Sequence, residues 1–226
     1  MNMKDIKMVL FDVDNTLVYG PGAKKFYRQY AGIIEKSFAE AFGRELLEGT
    51  RIVSAHRSRY GGMGEKAFET YHLGMDLCYD ALMKLDPEEY LELLPMVNKI
   101  IGSLKEKEVV VGVVSDGPRG LMDGIFAATG IEASLFDFVI GWERGAAMPK
   151  YGSGSIYERI CGERGIAKER AVMVGDSLYT DILPAVGVGL KAIHISEEKE
   201  AATGDFITLK NIELLPDIKI VRAIAS

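Results

Sequence analysis

Short runs of apolar residues that stop at polar or acidic groups recur along this chain, and they predict its architecture. Ile6 to Phe11 is one such run, ending at Asp12, and Val109 to Val114 is another, β-branched and ending in Ser115-Asp116-Gly117. Ala171 to Val174 stops at Gly175-Asp176, while Leu135 to Ile140 and Leu190 to Ile195 are two more without helical length. Runs this short and continuously apolar read as strands buried on both faces. Between the later ones, Leu121 to Thr129, Ser155 to Arg164 and Asp181 to Val186 have the length of crossover helices. Strand, helix, strand alternation predicts an α/β fold, a Rossmann-like parallel sheet covered on both faces.

One interval breaks this rhythm. Leu17 and Val109 lie about 90 residues apart, where a crossover needs about a dozen. Apolar residues at helical spacing fill the gap over Ala23 to Phe42, Gly64 to Lys84 and Pro87 to Lys105. In the second of these Phe68, Tyr71, Met75, Leu77, Leu82 and Met83 offer a packing stripe, and Asp86-Pro87 is a helix start for the third. The expected organisation is an α/β core from residues 1–17 and 96–226, with an α-helical cap inserted at 18–95.

Composition narrows the class. The chain has 226 residues, 48% hydrophobic and 27% charged, the balance of an ordinary globular protein of one or two domains. Acidic residues outnumber basic ones 33 to 27, a net charge of -6, so no positive field is available for a nucleic-acid backbone. Met8 to Phe11 is too short for a secretory segment, and no stretch approaches a membrane span; a cytoplasmic location without a membrane partner is expected. Cys78 and Cys161 have no CxxC spacing and no histidine cluster, so both read as core residues outside any disulfide.

In open parallel sheets ligands bind beyond the carboxyl ends of the strands. Three of the predicted strands end there in oxygen-bearing side chains: Asp12 with Asp14, Ser115 with Asp116, and Asp176 followed by Asp181. Each alone reads equally well as a cap or a turn, but three on neighbouring strands read as a site. Asp12 and Asp14, two apart at an extended strand end, aim to the same side, and carboxylates that close need a cation or a proton between them. With Asp176 the set is oxygen-only, which favours a hard cation such as Mg²⁺ over zinc; none of the three histidines falls near these motifs.

Asp12-Val13-Asp14-Asn15-Thr16-Leu17 resembles the first motif of the haloacid dehalogenase superfamily, DxDx[TV][LV] in its phosphatase members. Ser115 after a hydrophobic strand resembles the second motif, Lys150 the third, and Gly175-Asp176-Ser177-Leu178-Tyr179-Thr180-Asp181 the fourth, of GDxxxxD form. The likeness spans nearly the whole chain in the right order, and the insert position resembles the helical C1 class of caps. The resemblance implies that Asp12 is the nucleophile that forms an aspartyl-phosphate and that Asp14 is the general acid/base, with Thr16 orienting it. It implies a Mg²⁺ held by Asp12, the Asp14 main-chain carbonyl and Asp176, with Asp181 behind them or as an alternate ligand. Ser115, the Asp116 amide and the Lys150 ammonium would bind the phosphate oxygens.

Two positions depart from the family pattern. The family shows Lys followed by Pro, whereas the order here is Pro149-Lys150, which leaves Arg144 as a competitor for the phosphate-site cation. Asn15 stands where Gly is commoner and is not expected to touch the chemistry. An acid at position 14 separates the chain from the dehalogenase and phosphonatase branches, which lack one.

The resemblance therefore implies a Mg²⁺-dependent phosphatase acting on a small phosphorylated metabolite such as phosphoglycolate, a nucleotide or a sugar phosphate, as a monomer or homodimer. A phosphomutase or phosphotransferase would use the same four motifs. A phosphorylation-dependent receiver-like domain shares the acidic pocket, but its accepting Asp follows a middle strand and it carries no cap. In the insert, Arg51, His56, Arg57, Arg59 and Tyr60 before Gly61-Gly62-Met63-Gly64 form a cationic segment that either meets a substrate's anionic end or is a solvated helix end. Trp142 and Tyr151, near Lys150, either pack or touch ligand.

Overall fold

The computed structural model describes residues 6–150, 155–197 and 206–215. Its centre is a six-stranded, all-parallel sheet of β1 (Met8–Phe11), β2 (Val110–Pro118), β3 (Phe138–Trp142), β4 (Ala171–Gly175), β5 (Lys191–Ile195) and β6 (Phe206–Leu209), in the order β3-β2-β1-β4-β5-β6. The chain winds outward in both directions from β1, so β1 is the switch point of the sheet, flanked by β2 and β4. Register does the positioning. Phe11 pairs with Val113 on one side and Val174 on the other, so Asp12 follows at the level where β2 reaches Val114 and Ser115 and β4 reaches Gly175 and Asp176.

The continuous apolar runs are explained by the two faces they serve. Val9 and Phe11 join one core cluster, with Val111, Val113, Val172 and Val174 from neighbouring strands. Met8 and Leu10 point the other way, into a cluster with Met173, Ile156, Tyr157 and Ile160. The second face is covered by α7 (Ser155–Arg164) and α8 (Leu183–Gly187). The first is covered by α5 (Pro95–Lys105), α6 (Arg119–Thr129) and the inserted helices.

The insert comprises α1 (Pro21–Phe42), α2 (Leu46–Tyr60), α3 (Glu65–Thr70) and α4 (Asp76–Leu82). Helix α1 starts with Pro21, whose fixed φ suits the first turn, and buries Ala23, Phe26, Tyr30, Ile34 and Phe38 along one stripe. It ends at left-handed Gly43, where the Gly43 and Arg44 amides close onto the Glu40 and Ala39 carbonyls. Aromatic rings of Phe38, Phe42, Phe68 and Tyr71 pack edge to face at its far end.

Several sequence expectations are corrected. The helix read over Gly64 to Lys84 is two helices, α3 and α4, because His72 turns left-handed (φ 56) and the Leu73 amide bonds the Phe68 carbonyl. The stretch Pro87 to Lys105 is also broken: Asp86 caps one 3₁₀ turn, its Oδ1 accepting the Glu88 amide, and Pro95, which has no N–H to continue a helix, starts α5 afresh. The polar segment around Arg51 to Tyr60 belongs to a full helix, α2, which buries only Gly49 and Val53 and so shows little apolar period. Leu135 to Ile140 shifts to Phe138–Trp142, behind a 3₁₀ turn at Ala133–Leu135. Asp181 to Val186 divides into a π turn, Leu178–Ile182, and α8. Strand β6 was not foreseen. Both cysteines are free and buried, and no helix among the described residues is long and apolar enough to cross a membrane.

Candidate active site

The shared register of β1, β2 and β4 brings the three acidic groups together. Asp12 follows β1 directly, and its amide donates to the Val174 carbonyl at 2.9 Å, extending the ladder by one bond. The chain then reverses within a tight loop in which Thr16 and Val18 amides return to the Val13 carbonyl. Asn15 is left-handed (φ 54) at the apex. That conformation is why Gly suits the position and why Asn, the side chain that tolerates it best, replaces it.

Lys150 is the hub of the site. It is 6% exposed, and its ammonium donates to Asp12 Oδ1 at 2.6 Å and to Asp181 Oδ1 at 2.7 Å. Its amide donates to Asp116 Oδ1 at 2.7 Å, so the third and second motifs are tied through main chain as well. Asp181 is fully buried and its Oδ2 accepts the Ser177 amide. Gly175 is required here by space, since a Cβ would lie 2.3 Å from Asp181 Oδ2. Ser115 is buried at the end of the β2 run, with its Oγ accepting the Gly117 amide.

These groups line a cavity of about 460 Å³, whose walls include Asp12, Asp14, Ser115, Asp116, Lys150 and Asp176. The loop after α2, Gly61 to Met63, forms part of the wall, as do Tyr179 and His194. Gly61 fits closely: a Cβ there would fall 2.6 Å from that of Tyr179.

The electrostatics follow from crowding acids into a dry place. Burial raises the Asp12 carboxyl well above its ordinary value, Lys150 pulls it back, and Asp181 and Asp14 push it up again. Burial likewise carries Asp14 up to about 6, with the Tyr27 hydroxyl and Lys150 opposing. Burial and then Asp181 carry Asp176 up to about 7, against a hydrogen bond from Asn15. Burial alone would lower Lys150, but Asp12, Asp181 and Asp116 together hold it well above the usual ammonium value.

A hard divalent cation fits this donor set. Asp12, Asp176 and Asp181 each offer an oxygen within 4.8 Å of the others, without a nitrogen or sulfur donor among them. Among the described residues of the cavity wall, carboxylates outnumber the ammonium of Lys150, and their proton affinity is raised first by burial and then by one another.

The strand-end residues singled out from the sequence converge here, and the Lys150 ammonium lies among them, on Asp12 and Asp181. Arg144 does not reach it; its guanidinium pairs with Asp80 at 2.9 Å and its side chain is 61% exposed. The expectation for Asn15 is corrected, because its Nδ2 donates to Asp176 Oδ2 at 3.0 Å. Thr16 is buried beside Asp14 but its hydroxyl makes no hydrogen bond to it. Arg57 turns away from the cavity to Glu35 and the Met63 carbonyl, Arg59 lies over the Tyr60 ring, and neither they nor Arg51 line the wall. Trp142 is a packing residue, edge-on to Tyr79 with Nε1 donating to Ala146. Tyr151 lies outside the described residues. His194, whose Nε2 meets the Asp176 carbonyl at 3.0 Å, went unnoticed in the sequence; its place at the end of an apolar run matched the other strand-end groups.

Comparison with known proteins agrees with this geometry. Residues 6–189 match the model of the haloacid dehalogenase-like hydrolases. Over 214 residues the chain is 27% identical to the N-acylneuraminate-9-phosphatase of Mus musculus, covering 85% of this chain and 83% of the relative. Over 220 residues it is 26% identical to the glyceraldehyde 3-phosphate phosphatase of Methanothermobacter thermautotrophicus, covering 92% and 94%. In fold it is similar to CbbY from Rhodobacter sphaeroides, solved in complex with phosphate, at a TM-score of 0.64 and 22% identity over 93% of this chain and 96% of that one. The chain belongs to the haloacid dehalogenase-like hydrolase family, among the members whose motifs and relatives are those of phosphatases.

Proposed function

We propose that this enzyme is a Mg²⁺-dependent phosphatase that hydrolyses a small phosphate monoester through an aspartyl-phosphate on Asp12. The observation that carries the reading is the Lys150 ammonium held 2.6 Å from Asp12 inside a cavity that Asp14 also lines. An Asp12 oxygen attacks phosphorus as the P–O bond to the leaving group breaks, and Asp14 gives its proton to the departing oxygen. Water then attacks phosphorus, Asp14 takes its proton, the bond to Asp12 breaks, and inorganic phosphate leaves. A carboxyl poised at about 6 can serve as acid and then as base near neutral pH. Ser115 and Lys150 hold phosphate oxygens while charge spreads over them in a loose transition state.

Asp12, Asp176, the Asp14 carbonyl and Asp181 are the groups to hold Mg²⁺, which when bound neutralises the repulsion between carboxylate and phosphate. Residues 18–95 act as a cap: the Gly61 to Met63 loop closes the cavity from the insert side, excluding water and selecting the leaving group. Relatives named for phosphorylated metabolites support a substrate of that kind, and about 460 Å³ suits one. The test is release of inorganic phosphate from a panel of monoesters without an added acceptor, with Mg²⁺ and with a chelator. Turnover should require the metal and should fall by about a thousandfold or more in Asp12→Asn, a loss of the nucleophile itself. Undiminished turnover in that variant defeats the mechanism, and release only with an added acceptor identifies a phosphotransferase.

A further inference from the structure

The wall of the catalytic cavity is of two kinds. Asp12, Asp14, Ser115 and Lys150 bring charge and hydrogen-bonding groups, whereas the side chains of Met63, Leu178 and Tyr179 bring chiefly apolar surface. The first set is occupied by phosphate, metal and proton transfer, which leaves the second for the rest of an ester. Tyr179 offers the largest surface of that set and is 56% exposed. A single exposed aromatic is ordinary on a protein surface, but this one lines the cavity where the reaction takes place.

Two features fix its place there. Tyr179 rises from the π turn Leu178–Ile182, in which the Asp181 and Ile182 amides both donate to the Ser177 carbonyl, at 3.0 and 3.1 Å. Ser177 Oγ accepts the Thr180 amide at 3.2 Å, and the hydroxyl of buried Tyr157 donates to the Thr180 carbonyl at 3.0 Å, so the turn is fastened on both sides of the ring. Single π turns are found often at functional sites. The second feature is the insert. Gly61 is left-handed (φ 71), and a Cβ on it would fall 3.0 Å from Tyr179 Cγ and 2.9 Å from Cδ2. The root of the ring therefore rests against the backbone of the insert loop, while much of the side chain stays open.

We propose that Tyr179 is a specificity-determining residue, its ring the surface on which the leaving group lies, and that the preferred esters carry a ring there, either a sugar or an aromatic alcohol. This rests on the phosphatase reading of the site and deepens it. Tyrosine suits the task because it presents a broad amphipathic surface with only two rotatable bonds to immobilise, and because a planar ring stacks on the flat face of another ring or on the C–H face of a sugar. The core strand end that supplies Asp176 thus also supplies a contact for the leaving group, directly opposite Gly61 of the insert.

One assay tests this. Turnover of p-nitrophenyl phosphate gives the KM of an aromatic ester, and competition in the same assay gives inhibition constants for a hexose 6-phosphate, methyl phosphate and inorganic phosphate, the last two without a ring. Tyr179→Leu keeps an apolar branch against Gly61 and removes the ring; Tyr179→Phe keeps the ring. In Tyr179→Leu the constants for the ring-bearing esters should rise about 3- to 10-fold, the scale of a stacking contact, with kcat within about twofold. Those for methyl phosphate and inorganic phosphate should change by less than about twofold, and Tyr179→Phe should behave as the wild type. A rise for one of the two ring-bearing esters alone upholds the role of the ring and tells a sugar from an aromatic alcohol. Equal rises for all four compounds, no rise for any, or a Tyr179→Phe variant as impaired as Tyr179→Leu overturns the proposal. Absence of p-nitrophenyl phosphate turnover in the wild-type enzyme overturns the phosphatase reading itself, and this proposal with it.

Discussion

The acidic strand ends and the loop of the insert that faces them are built by different means. At the strand ends, Asp12, Ser115 and Asp176 are held by a ladder in which Phe11 pairs with both Val113 and Val174, so that main-chain bonds place the chemistry. Across the cavity, the Gly61 to Met63 loop has no strand beneath it. It is held by side chains: the Arg57 guanidinium donates to the Met63 carbonyl, and Glu65 Oε2 accepts the Met63 amide at 2.8 Å. The strand ends are thus fixed by main-chain bonds of the sheet, and the insert loop chiefly by side-chain bonds to its own backbone.

The largest effect expected from breaking this arrangement comes from its buried cation, Lys150. Lys150→Met leaves Asp12 and Asp181 buried without their ammonium, and loss of one partner from such a pair costs about 3 to 5 kcal/mol. Chemical denaturation in a chelator should register that loss, and added Mg²⁺ should recover part of it. Unchanged stability would show that the acids there are protonated and need no counter-charge.

A smaller effect is expected of pH. Asp14 and Asp176 have folded values of about 6 and about 7, above the ordinary 3.8. The folded protein therefore binds their protons more tightly than the unfolded chain does. Their contribution to stability is fully present below about 4 and is lost as pH rises through about 6 to 7. In a chelator, the melting temperature should be higher at pH 5.5 than at pH 7.5 by several degrees, and Mg²⁺ should reduce the difference by stabilising the pH 7.5 state. A melting temperature that rises with pH over this window in the chelator would contradict the crowding of acids described above.

The smallest effect belongs to the insert loop. Arg57→Ala removes the bonds to Glu35 and Met63 at a partly buried position, at about 1 kcal/mol in stability. KM should rise several-fold for large and small esters alike, with kcat within about twofold, as expected when a wall loosens and no ligand contact is lost. A rise confined to anionic substrates would instead make Arg57 a direct contact.

How legible the molecule was in its sequence follows the same division. The strands β1, β2 and β4 could be read because being buried on both faces leaves a continuous apolar run, and the site because each run stops at an acid. Helix α2 was obscured because it buries little more than Gly49 and Val53, and β6 because four residues carry too little pattern. The breaks inside the expected insert helices depend on His72 and Pro95, the first a choice of backbone well that local pattern does not mark. Asn15 looked like a neutral variation, since its partner Asp176 is 161 positions away.

By itself, then, the order of residues determined that the sheet is parallel, that helices interrupt it after β1, and which acids stand at the strand ends, since these depend on periodicity and on neighbours along the chain. Tertiary structure alone decided that Lys150 and not Arg144 meets Asp12, that Asn15 steadies Asp176, and that Arg57 anchors a loop. The reason is physical: Lys150 and Asp12 are 138 positions apart, and only the packed sheet and helices bring their charges within 2.6 Å.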